Sequence, residues 1–242
     1  MSDPIGSTVE PFLAAVDQAL GNRYSAVLYG SVARGDYFPA TSDINLLLVL
    51  DEAAPATLRA LQPAFESWRA RTPEPPLILS RAEWARASDV FPIELTDMQA
   101  AHRILRGSDP LMGAVVHRAD LRRALEGELR GKLLRLRQGY TLLAQHPAEL
   151  GRLAVSSAPT ALVLFRCLLT LAGRPAADPA DARGIVTASA ASAGFPADPV
   201  LEVVTHRGDP GWRCPSDRFE AYLDAIVRTA QYVDQLHPGD AS

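Results

Sequence analysis

Apolar residues recur at helical intervals at Val9, Phe12, Leu13, Val16 and Leu20, between a Ser7–Glu10 pair at capping-box spacing and Gly21, and predict a first amphipathic helix. A strand-like run over 24–29 ends at Gly30-Ser31. A polar loop through Tyr37-Phe38-Pro39 leads to 44–50, whose near-continuous apolar character predicts a buried strand. Residues 55–71 read as helix, 77–79 as a third strand, 81–88 as helix and 91–95 as a fourth short strand. From about Asp120 the period lengthens. Leu121, Leu125, Leu129, Leu136, Tyr140 and Leu143 fall on one helical face, and further helices are expected over 147–157, 159–171, 179–193, 199–206 and 215–236. The expected fold is α+β: an α/β domain with a mixed sheet and flanking helices over 1–117, then an all-helical bundle over 118–242, with the junction near His117.

Composition narrows the function classes. The 242 residues are 48% hydrophobic and 21% charged, a globular balance that excludes disorder as the main theme. A net charge of -4 argues against bulk nucleic-acid binding, which needs a basic surface to neutralise phosphates. Two cysteines, Cys167 and Cys214, make neither a disulfide scaffold nor a metal cluster, and a reducing cytoplasm fits them best. The first ten residues lack a basic start followed by an apolar core. No apolar run approaches the length of a bilayer span, so no membrane role is expected. Of 24 basic residues, Lys132 is the one lysine.

The segment from Leu28 to Val49 carries the chemistry. It runs strand, Gly30-Ser31 turn, short helix with Arg34, loop, then Asp43-Ile44-Asn45 at the mouth of the second strand. Glycine lets the backbone approach a phosphate, and a serine hydroxyl with nearby helix N-terminal amides can donate to its oxygens. Asp43 and Asn45, two apart in an extended chain, point to one side and can hold a metal together. Arg34 is a phosphate candidate on its charge.

This pattern, an apolar residue, Gly-Ser, then an acidic position thirteen residues beyond the glycine, resembles the signature of nucleotidyltransferases of the DNA polymerase β superfamily. The resemblance implies a mixed sheet that binds a nucleoside triphosphate, such as ATP, with Mg²⁺. It also implies transfer of a nucleoside monophosphate to an acceptor with release of pyrophosphate. By position, Gly30 and Ser31 would contact the triphosphate and Asp43 would bind metal. The family's second carboxylate is replaced by Asn45, whose amide oxygen can ligate Mg²⁺ but brings no charge.

A further carboxylate is needed as base for the acceptor hydroxyl. Glu94 is one candidate, read as the outward residue of the expected fourth strand. Glu128 is the other. The segment Glu128-Leu129-Arg130-Gly131-Lys132 resembles the Glu-x-x-Gly-Lys helix of kanamycin-type aminoglycoside nucleotidyltransferases, which implies Glu128 as general base, Lys132 as phosphate ligand, and a dimeric assembly. Lys132 also breaks the apolar stripe of its helix, a local violation of pattern. The structural alternative is an i,i+4 Glu128–Lys132 pair with a snorkelling lysine. Two functions stand side by side: a Mg²⁺-dependent nucleotidyltransferase acting on a hydroxyl of a small molecule or protein, and a nucleotide-binding or regulatory module weakened or silenced by Asn45.

Overall fold

The structure, a computed structural model, describes residues 4–38, 42–209 and 211–236; Pro39 of the expected loop and His237 lie outside them. The chain divides into two units, Met1–Phe91 with Asp97–Val115 and Pro92–Thr96 with Val116–Ser242.

In the first unit a four-stranded mixed sheet has the order β3-β2-β1-β4. β1 (Tyr24–Tyr29) runs antiparallel to both β2 (Asn45–Leu50) and β4 (His102–Arg106), and β2 runs parallel to β3 (Leu77–Ser80). The even-numbered residues of β1 and β2, from Tyr24 to Leu28 and from Leu46 to Leu50, form a core with Phe12, Leu13 and Val16 of α1 (Glu10–Leu20) and Leu61, Ala64 and Trp68 of α3 (Pro55–Arg69). Trp68 packs its ring edge-on to Phe12 and donates Nε1–H to the Glu74 carbonyl at 2.6 Å, so its apolar bulk and its polar atom are both satisfied. Val27, Leu47 and Val49 on the opposite sheet face are buried too.

Three local expectations are corrected in this unit. Ile5–Val9 is already helical, so Ser7 is not an N-cap, and Glu10 instead accepts from Arg106 Nη2 at 3.0 Å. The capping box lies at Ser80–Glu83, before α4 (Arg81–Trp84), where backbone and hydroxyl of Ser80 hold the Glu83 carboxyl below its ordinary pKa. Residues 91–95 are not a strand. Pro92 opens helix α5 (Pro92–Ala100), its fixed φ suiting the first helical position, and Glu94 lies exposed in that first turn. The fourth strand is β4, whose His-Arg-Ile-Leu-Arg sequence carries little apolar signal because it is a half-exposed edge. Arg106 anchors it, with Nε 3.0 Å from Asp17 of α1, and Tyr24 donates to the same carboxylate at 2.6 Å.

The second unit is mostly helical and has no strand among its described residues. On α6 (Arg118–Leu143) the expected stripe of Leu121, Leu125, Leu129 and Leu136 is buried against α7 (Pro147–Leu171), α8 (Ala182–Ala193), α9 (Ala197–Thr205) and α10 (Ser216–Gln235). Burial is worth about 1.5–3 kcal/mol for each such leucine. Arg122 donates from Nε to the Leu236 carbonyl and from Nη2 to that of Asp234, and Arg118 donates to the Leu171 carbonyl. Two of the basic residues that make α6 look like a charged face thus satisfy carbonyls at the ends of α10 and α7.

Residues 147–171 form one helix, not two. Pro159 removes the N–H that would serve the Val155 carbonyl, yet the helix continues through it; nearby, Ser157 Oγ donates to the Ala154 carbonyl and Lys132 Nζ to the Ser157 carbonyl, both at 2.8 Å. Unbroken, this helix is long and apolar enough to cross a membrane by length and composition, contrary to the expectation from the shorter segments. In the structure 61% of its most apolar window is buried, as in a core helix.

Lys132 is 4% exposed. Loss of hydration is the main reason its pKa is pushed down to about 8 from 10.5; Arg135 adds to the fall and Glu128 opposes it. The unfolded chain keeps this proton to the higher pH, so it binds more protons across that window and folding gains stability as pH rises. In urea titrations from about pH 7.5 to about 9.5, wild type should gain about 1–2 kcal/mol relative to Lys132→Met. A constant difference would show that the ammonium stays hydrated in the fold.

Candidate functional site

Gly30 ends β1 and opens α2 (Gly30–Arg34) at φ +72°, in the left-handed region that a Cβ disfavours. Space forbids a side chain as well. A Cβ here would run into the Asn45 carboxamide, Nδ2 first. Asn45 stands directly across from Tyr29, and Tyr29 in turn from His102, so the three form one row over β2, β1 and β4. By strand alternation this row lies on the sheet face away from α1 and α3. Asn45 is half-buried, with its amide against the glycine turn. Asp43, two residues earlier and ahead of the strand, is exposed and makes no ion pair among the described residues. Ser31 follows Gly30 directly, is half-buried, and its hydroxyl makes no hydrogen bond among the described residues. The structure therefore brings Gly30, Ser31 and Asn45 together and sets Asp43 at the mouth of β2.

The described residues at either end of the connection between them are tied by hydrogen bonds. Gly35, at φ +89°, ends α2, and the N–H groups of Gly35 and Asp36 both donate to the Ser31 carbonyl, at 2.9 and 3.1 Å. Further on, Phe38 N–H donates to Ser42 Oγ at 3.2 Å and Ser42 N–H to the Phe38 carbonyl at 2.8 Å, one residue before Asp43.

Arg34, expected at phosphate, is engaged by protein. Its Nε lies 3.2 Å from Asp36 Oδ1 and its Nη1 3.0 Å from Asp97 Oδ2. Asp97 escaped sequence reasoning because its segment followed an expected strand. The available signal was an acid flanked by Leu95, Thr96 and Met98, all of which are buried.

In the second unit Glu128 is exposed on α6, while Lys132 turns inward to the Ser157 carbonyl, whose own hydroxyl shares a 2.7 Å hydrogen bond with Tyr222. The expected Glu128–Lys132 ion pair does not form within the described residues. A shallow depression lined by Leu20, Arg23, Asp51, Glu52 and Thr57 lies toward the opposite end of β1 and contains none of the expected site residues.

The donor set suits a hard cation in a limited way. Asp43 offers a carboxylate and Asn45 a carboxamide oxygen, but no cluster of three or more His, Cys, Asp or Glu that could hold a metal occurs among the described residues. One carboxylate completed by substrate phosphates is a common manner of binding Mg²⁺.

Residues 9–83 match the family model for the nucleotidyltransferase domain, a span that contains β1, the Gly30 turn, β2 and β3. The match supports the nucleotidyltransferase superfamily and nucleotidyl transfer in general. No curated protein matches the chain.

If Gly30 is held by backbone and contact together, Gly30→Ala should cost about 1–3 kcal/mol in chemical denaturation. Adding Asn45→Ala should recover the steric part and leave the cost of positive φ. Equal losses in the single and double variants would show that Asn45 does not crowd the turn.

Proposed function

We propose that this chain is a Mg²⁺-dependent nucleotidyltransferase that moves a nucleoside monophosphate from a triphosphate, ATP in the first instance, to a hydroxyl of a small molecule or protein, releasing pyrophosphate. The observation that carries the reading is the Gly30–Ser31 turn closing on Asn45, with exposed Asp43 at the mouth of the next strand.

In this reading the missing Cβ at Gly30 lets the triphosphate lie close to the backbone, and the hydroxyl and amide of Ser31 donate to its oxygens. Asp43, with the Asn45 amide oxygen, would hold the ion, which when bound offsets the charge on the phosphates. Glu128 and Lys132 take the roles implied by the Glu-x-x-Gly-Lys resemblance. The exposed Glu128 carboxylate accepts the acceptor's proton, while Lys132, buried and bonded to the Ser157 carbonyl, would have to turn outward to contact phosphate. A kanamycin-type two-domain layout and dimer belong to the same proposal.

One observation favours a second reading, a nucleotide-binding or regulatory module without turnover: an amide at 45, and no three-acid cluster among the described residues.

Calorimetry with ATP, with and without Mg²⁺, alongside pyrophosphate release over a panel of hydroxyl acceptors, separates the two. The enzyme reading expects Mg²⁺-dependent binding and acceptor-dependent release, with Asp43→Asn removing both. It also expects Glu128→Gln to abolish release while leaving binding nearly intact. Tight binding without release, unchanged by Asn45→Asp, supports the regulatory module. Absence of nucleotide binding sinks both.

A further inference from the structure

The Arg34 side chain is 7% exposed, and those of its partners Asp36 and Asp97 are 10% and 8% exposed. The guanidinium therefore bridges two carboxylates with little water around it. Such a guanidinium is poorly suited to receive a triphosphate, because the incoming anion would have to displace, or be repelled by, carboxylates already in place. Its location suggests another role. Arg34 is four residues beyond Gly30 and two before Asp36, where the chain leaves α2 for the loop that ends at Asp43. The bonds of Gly35 and Asp36 back to Ser31 hold the near end of that loop, and the mutual Phe38–Ser42 bonds hold its far end. The Arg34 bridge ties the near end to α5 through Asp97.

We propose that Arg34 is a positioning residue, clamped between Asp36 and Asp97, that fixes the loop joining α2 to β2 and thereby the placement of Ser31 and Asp43, and that it is not itself a triphosphate ligand. The proposal rests on the nucleotidyl-transfer reading for its catalytic consequence. It brings Asp97, which lies outside the matched residues 9–83, into the support of the site.

A double-mutant cycle in the full chain with Arg34→Gln, Asp97→Asn and both together tests it, with two readouts. In hydrogen-exchange mass spectrometry, each single variant should speed exchange in peptides spanning 35–45, and the double variant should add little, since either change breaks the same bridge. In kinetics with Mg²⁺ and ATP, both single variants should lose about ten- to a hundred-fold in kcat with KM for ATP nearly unchanged, as expected for misplaced groups. Arg34→Lys should not restore it, because an ammonium cannot span two carboxylates as the planar fork does. The proposal is overturned if Asp97→Asn leaves exchange and kcat at wild-type values while Arg34→Gln raises KM for ATP and Arg34→Lys restores it, the behaviour of a direct phosphate ligand. It is equally overturned if the exchange effects simply add. A wild type without turnover removes the functional reading instead, and exchange still decides whether the clamp exists.

Discussion

Only hydrogen fits on the α-carbon of residue 30. Positive φ and the Asn45 carboxamide both require it, and from this one exclusion the geometry at that end of the sheet follows. The chain can turn sharply out of β1, α2 can begin without a spacer, and β2 can bring Asn45 directly opposite Tyr29. A larger residue would push the turn away from β2 and separate Ser31 from Asn45. Backbone conformation and the grouping of candidate ligands are therefore a single constraint.

The arginine bias of the chain acquires a physical meaning beside this turn and elsewhere. Arg34 joins two carboxylates, Arg106 joins Glu10 and Asp17, and Arg118 and Arg122 satisfy carbonyls at helix ends. Each use depends on a planar group with several fixed donors. Lys132 does what a compact ammonium does well. It reaches through an apolar layer to a single carbonyl, that of Ser157, two residues before Pro159. Its burial has an electrostatic cost, seen in the lowered pKa, at a position where leucine would pack more easily.

Sequence pattern disclosed those parts of the fold whose burial matches a simple period. β1 and β2 are buried on both faces and read as apolar runs, and the α6 leucines recur at helical spacing. It failed where burial and period part company. β4 is an edge strand of mostly polar residues. α5 looked like a strand because Phe91, Ile93 and Leu95 alternate, while the helical signal from Thr96 to Met98 includes an acid. Pro159 looked like a stop, yet the helix runs through it from Pro147 to Leu171, packed into the core of its unit. The Gly-Ser and Asp positions of the site were legible because their constraint is local. The Arg34 bridge was not, since its second acid lies sixty-three residues away.

The amide at 45 also makes sense in charge terms. Asn45 touches the glycine that opens α2, and Asp43 stands two residues before it. A carboxylate in place of Asn45 would stand two residues from Asp43 and be repelled by it by roughly 2 kcal/mol at an effective dielectric near 20. Sterically the exchange is neutral, since the two side chains have nearly the same shape. The amide at 45 avoids that repulsion.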